Sequence, residues 1–190
     1  MLIPRTLFVL LGLLAGAPAQ AQVPNPAGVA PGAVQSAPGV PAPGQTNLQD
    51  ELFARLAAVA GRSEVQLGLM ARDKAESSAV RDFAIKMANA RSAANIRLKA
   101  AAETAGIALP QGLDSEQEQV RVKLERAEGK AFDEMYIGAQ VAAHIKAAQL
   151  MAWEADSGQE KSLTDFASAS LPDILEHLRS AQTLLIELRQ

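Results

Sequence analysis

The chain has 190 residues, 18 basic and 21 acidic side chains, a formal net charge of -3 and no cysteine. That balance excludes an electrostatic footprint for DNA, RNA or anionic lipid, and the missing cysteine excludes disulfides, thiolate metal ligands and a thiol nucleophile. The length suits one domain of ordinary size behind any targeting segment.

Arg5 is the single charge ahead of an apolar stretch from Leu7 to Ala15, and Ala17-Pro18-Ala19-Gln20-Ala21 supplies a small-x-small ending. This is the pattern of a secretory signal peptide, with an apolar run too short to span a bilayer. It predicts a leader over residues 1–21, cut after Ala21. No cysteine follows the cut, so no lipid anchor is expected, and contact with a membrane is peripheral at most. The expected location is the periplasm or the outside of the cell, with outer-membrane association through surface contacts alone. Residues 22–46 are uncharged and rich in Pro and Gly, as in Pro41-Ala42-Pro43-Gly44. Such a stretch buries too little side chain to offset its ordering entropy and predicts a disordered tether. Arg5 leaves with the leader and no acidic residue does, so the mature formal charge is -4.

The body, residues 47–190, is alanine-rich with few β-branched or aromatic residues, and its apolar spacing is helical. A first helix is predicted from an Asn47 cap to about Arg72, with Leu52, Leu56, Val59, Leu67 and Met70 on its apolar face. A second follows a Ser77 cap, carries Val80, Phe83, Met87, Ala94, Leu98 and Ala101, and ends at Gly106. After Pro110 and Gly112, Ser115-Glu116-Gln117-Glu118 reads as a capping box opening a short helix that Gly129 interrupts. A third long helix spans about Lys130 to Asp156, and Ser157-Gly158 ends it. The fourth carries Leu163, Phe166, Leu171, Ile174, Leu178, Leu184 and Leu188, with Pro172 predicted to kink or restart it. Short connections predict antiparallel neighbours. The fold class read from this pattern is all-α: an up-down-up-down four-helix bundle with an additional short helix before the third long one.

Polar residues at seam positions distinguish this chain from a generic bundle. The steps Val80, Phe83 and Met87 point next to Arg91. His144 continues the stripe of Ile137 and Val141, and His177 that of Leu163, Ala167, Ser170 and Ile174. Glu64, three residues before Leu67, can turn inward. The chain therefore has a candidate polar core layer or ligand site of Glu64, Arg91, His144 and His177. Asp173, one turn before His177, is a further candidate partner for the imidazole. A di-iron bundle needs Glu-x-x-His pairs, but Val141 and Ile174 stand three residues before the histidines. Arg91 would repel a cation in the same layer. No metal, cofactor or catalytic residue is assigned, since Gly-x-Ser-x-Gly, a phosphate loop and His-Glu-x-x-His are all missing. The acid pairs Glu116 with Glu118 and Asp133 with Glu134 read as solvated, and Tyr136 and Trp153 as core or groove filler.

Phe83-Ala84 with Met87, Phe132-Asp133 with Tyr136, His144, Phe166-Ala167, Leu171-Pro172 and Glu176-His177-Leu178 resemble the secreted bacterial family known as domain of unknown function 4142. Glu64-Val65 with Leu67-Gly68 fits the same pattern. The resemblance covers nearly the whole body. It implies a ferritin-like helical bundle of the periplasm or outer membrane with no established activity. It also implies an Asp-His pair in each of the second and third long helices, where this chain has Ala90-Arg91 and Ala143-His144. The functional expectation is a non-enzymatic exported envelope protein acting by interaction or structural support, through self-association or an envelope partner. The alternatives are a metal- or small-ligand-binding ferritin-like protein and a lipid-surface-binding helical protein.

Overall fold

The computed structural model describes residues 48–190, whose regular structure is entirely helical: α1 (Leu48–Lys74), α2 (Ser78–Thr104), α3 (Ser115–Arg126), α4 (Gly129–Ser157) and α5 (Lys161–Leu188). The expected leader, tether and Asn47 cap lie outside the described residues. Among the described residues no helix is long and apolar enough to cross a membrane.

Local chemistry sets the boundaries. Gly106 takes φ 71°, which only glycine adopts without a Cβ penalty. With it, Ile107 N–H reaches the Ala102 carbonyl at 2.8 Å and Gly106 N–H that of Glu103 at 3.2 Å, closing α2 in a Schellman motif. The cap of α3 is Asp114 and not the expected Ser115. Its Oδ1 accepts from Glu116 N–H at 2.9 Å and Gln117 N–H at 3.0 Å, so a carboxylate one residue earlier takes the orphan amides. Gly129, at φ 58°, separates α3 from α4 as expected. The helix α5 runs through Pro172 without a second start. Pro172 and Ser168, whose carbonyl loses its donor, are both exposed, so water can replace the missing bond.

Three residues join α1 to α2 and three join α4 to α5, which makes two antiparallel hairpins. Two buried aspartates then fix how the hairpins meet. Asp50, in the first turn of α1, accepts from the N–H groups of Gln159 (2.9 Å) and Glu160 (3.1 Å) in the α4–α5 loop. Asp133, near the start of α4, accepts from the N–H groups of Glu76 (3.2 Å) and Ser77 (2.8 Å) in the α1–α2 loop. The start of α4 therefore lies at the end of α1, and the two run antiparallel. Ser162 at the start of α5 likewise bonds the Ala101 carbonyl near the end of α2. Each long helix packs against two others, α1 on α2 and α4, and α5 on α4 and α2.

This corrects the expected up-down-up-down order, because α2 and α4 point the same way and the order is up-down-down-up. The α2–α4 connection is not a turn. It travels back along the molecule and carries α3, which contacts α1 and α4. Arg62 donates to the Pro110 carbonyl at 2.9 Å and Lys74 to that of Glu125 at 2.7 Å, and Lys146 pairs with Glu116. Asp133 is correspondingly buried, not solvated as its sequence neighbours suggested.

The hairpins repeat one another in sequence as well as in contact. Asp50-Glu51 and Asp133-Glu134, Asp73 and Asp156, and Asp82-Phe83-Ala84 and Asp165-Phe166-Ala167 stand at one constant spacing. The capped amides of Glu76-Ser77 and Gln159-Glu160 fall at that same spacing. One cap carries an addition. The Glu154 carboxyl, fully buried, lies against Asp50 and Gln49, and burial followed by the hydrogen bond and charge of Asp50 pushes its pKa up to about 8. At neutral pH Glu154 thus carries a proton.

Where helices approach closely, the core side chains are small. The buried face of α1 is Phe53, Ala54, Ala57, Ala58, Gly61 and Glu64, whereas the expected Leu52 and Leu56 face outward. Gly68 sets the α1–α2 approach, since a Cβ there would stand 3.0 Å from the Ala84 carbonyl oxygen. The apolar core falls into two clusters. One is built on Phe83, Met87, Phe132 and Ile137, the other on Phe53, Leu98, Met151 and Ile174.

Candidate functional site

All four side chains expected in the polar layer are buried, and they lie between the two apolar clusters. Glu64 and Arg91 face each other across the α1–α2 seam, where Arg91 Nε donates to Glu64 Oε2 in a buried ion pair. His144 of α4 and His177 of α5 meet edge to face, with ring centroids 5.8 Å apart. The first hairpin thus supplies the ion pair and the second the imidazoles.

The electrostatics keep both rings neutral. Burial lowers the pKa of His144, with Glu64 opposing. Burial lowers His177 further, to about 4, helped by His144 and then Arg91. His144 Nδ1 stands 2.9 Å from the Gln140 carbonyl oxygen, which can only accept, so this nitrogen carries the proton and Nε2 presents its lone pair. Asp173 is exposed, and no contact joins it to the buried His177. Glu176 is exposed too and pairs with Lys86 at 3.1 Å. The pKa of Tyr136, fully buried, is raised first by burial and then by the Glu64 charge. Trp153 is partly exposed and takes no part in the layer.

The layer contains more than sequence spacing indicated. Gln140, one turn before His144, is fully buried, and both atoms of its amide lack a hydrogen-bond partner among the described residues. The same holds for Arg91 Nη2, His144 Nε2, His177 Nδ1, Ser170 Oγ and the Tyr136 hydroxyl. Buried polar atoms in folded proteins are almost always paired, so the unpartnered atoms of Arg91, Gln140, His144 and His177 within the layer are a chemical signal. Gln140 could have been found from the sequence, since it continues the Phe132–Tyr136 face of α4.

A cavity of about 330 Å³ adjoins this level. Arg91, Glu64 and Gln140 line it, α1, α2 and α4 wall it, and α3 roofs it. A larger recess of about 610 Å³ between α2 and the α2–α3 loop is edged by side chains such as Ile96 and Lys99 that face solvent. No group of three or more His, Asp or Glu residues suited to a metal ion occurs among the described residues.

The family model described as a domain of unknown function, DUF4142, matches residues 35–184. Two solved structures share the fold. A DUF305 fragment from Deinococcus radiodurans has a TM-score of 0.67 at 11% identity, covering 75% of this chain and 98% of its own. A DUF305 protein from Streptomyces coelicolor, described as secreted, has a TM-score of 0.64 at 16% identity, covering 74% of this chain and 92% of its own. No curated protein matches the chain.

Proposed function

We propose that this chain, which belongs to the DUF4142 family, is an exported, non-enzymatic binding protein that holds a small molecule against its polar layer. The four long helices are read as a ferritin-like four-helix bundle, supported by the single long crossover that carries α3 between the hairpins. Export to the periplasm or beyond is supported by the leader pattern at residues 1–21.

The observation that carries the binding reading is a cavity of about 330 Å³ lined by Arg91, Glu64 and Gln140, next to a layer whose buried polar atoms lack partners among the described residues. Each such atom costs about 1–3 kcal/mol when left unsatisfied. A cavity of this size is in the range of small-molecule sites. The donor set favours an organic ligand over a divalent cation, because two imidazoles beside a guanidinium offer one lone pair each and a repelling charge.

Native mass spectrometry of tag-free mature protein recovered from its host envelope tests this reading. A non-covalent small-molecule adduct that disappears in Gln140→Leu is the expected result. The bare chain mass in both proteins, with no thermal shift from zinc, copper, amino acids or aliphatic amphiphiles, would overturn it.

A further inference from the structure

The short helix α3 covers only part of the groove between α1 and α4. Its first turn meets the middle of α4, where Glu116 pairs with Lys146, and its last turn reaches the end of α1, where Lys74 donates to the Glu125 carbonyl at 2.7 Å. The remainder of the groove lies past the start of α3 and is open. Leu56 and Leu150 stand where it leaves the cavity, and Leu52 and Trp153, one turn further along their helices, continue it. The buried Glu154 lies against Asp50, which sets that end of α4 beside the first turn of α1. Leu48, Leu52 and Leu56 are 76%, 50% and 43% exposed, and Trp153 is 38% exposed. They form an apolar strip along α1 with the single tryptophan of the chain beside it.

We infer that this strip is the docking surface for residues 35–46 of the same chain, which fold back over Leu52, Leu56 and Trp153. The inference goes beyond the binding reading above and does not depend on it. The strip begins at Leu48, the first described residue, so the segment leaves α1 at the open end of the groove. Pro43-Gly44 is a reversing dipeptide. The eight residues Gln35 to Ala42 reach about 25 Å as a polyproline II helix, against about 12 Å along α1 from Leu48 to Leu56. Pro38-Gly39-Val40-Pro41 has the P-x-x-P spacing that seats such a helix on aromatic-lined grooves, and the segment carries no charge to desolvate. The family's sequence pattern begins at residue 35, well before α1, which joins these residues to the helical body and leaves 22–34 as tether. A second copy of the chain is a poorer occupant, because a few partly exposed side chains offer far less than the ~800 Å² per partner of a stable complex. A segment already joined to α1 needs little area, since its effective concentration is high.

The test uses the mature chain, residues 22–190, which has one tryptophan and no cysteine. Val40→Cys labelled with bimane, a dye that tryptophan quenches on close approach, reads the proximity of position 40 to Trp153. Its emission should be about twofold lower, or less still, than in the same labelled chain carrying Trp153→Leu, as for a segment docked at least half of the time. Asn25→Cys, labelled alike, should show no dependence on Trp153. Leu52→Asp, at an exposed position, should restore the emission of the Val40→Cys label with helicity retained. Replacing residues 35–46 by a Gly/Ser run of equal length should raise the quenching of Trp153 by acrylamide and lower the thermal midpoint. Equal bimane emission with and without Trp153 overturns the inference, as does acrylamide quenching that the Gly/Ser run leaves unchanged. Bimane quenching that survives Leu52→Asp also overturns it, since the segment would then sit elsewhere. Quenching that fades on dilution assigns the contact to a second copy and overturns it too.

Discussion

Replacing Glu154 by glutamine should abolish a loss of stability between pH 6.5 and 8 that the parent protein shows. Glu154 stands near pKa 8 in the folded chain against an ordinary 4.5. Its folded value is raised, so its contribution is fully present below 4.5 and is lost as pH rises through about 8. The two histidines act in the other direction. His177 is lowered from 6.5 to about 4 and His144 is lowered as well, so their contributions are present above 6.5 and fall away in acid. Between 4.5 and 6.5 the opposing slopes offset one another. From 6.5 to 8 only Glu154 titrates among these groups, at up to ~1.4 kcal/mol per pH unit, or about 2 kcal/mol over the window. In a helical body of this size that is roughly 4–8 °C in melting temperature. Glutamine keeps a donor toward Asp50 and cannot ionise, so Glu154→Gln should hold its stability to pH 8.5. Urea unfolding of both proteins at pH 6.5 and 8.5 measures the difference. Parallel pH profiles would refute the raised pKa of Glu154.

Three further outcomes follow from named contacts. Arg91→Ala strands Glu64 without its partner and should cost about 3–5 kcal/mol in urea unfolding, whereas Arg91→Met with Glu64→Leu should come close to the parent value. Asp133→Ala removes two carboxylate bonds to the α1–α2 loop and should cost about 2–3 kcal/mol, with hydrogen exchange rising at Glu76 and Ser77. Gly158→Ala would place a Cβ 2.6 Å from both the carbonyl and the carboxyl of Glu154. Such a clash should cost about 1–3 kcal/mol, read as a lower denaturation midpoint at unchanged m-value.

The helices were largely legible because period and punctuation agree. The stripe Leu163, Ala167, Ser170, Ile174, His177, Ala181, Leu184 is the buried face of α5 residue for residue, and Arg91, His144 and His177 were placed inside by the same periodicity. The face of α1 was misread because large leucines advertise burial more loudly than alanines. Close helix contact selects small side chains, so Phe53, Ala57 and Gly61 went inward and Leu52 and Leu56 outward. Helix direction was illegible from connection length alone. A loop that can turn can also cross, and the choice rests on Asp50 and Asp133 reaching amides far away in sequence. Gln140 shows the limit at the site, since the Phe132–Tyr136 spacing puts it inside while its polar amide argues for the surface.

The reciprocal aspartate caps also bear on the order in which the chain can fold. Asp50 and its amide at Gln159 are 109 residues apart, and Asp133 and Ser77 are 56 apart. Closing such loops costs entropy before any bond forms, and folding slows as contacts become more distant in sequence. The first hairpin cannot secure its own turn until Asp133 exists, and the start of α1 stays unheld until the α4–α5 loop has been made. A chain emerging from its N-terminus therefore remains open through most of its length and locks only when the second hairpin is complete.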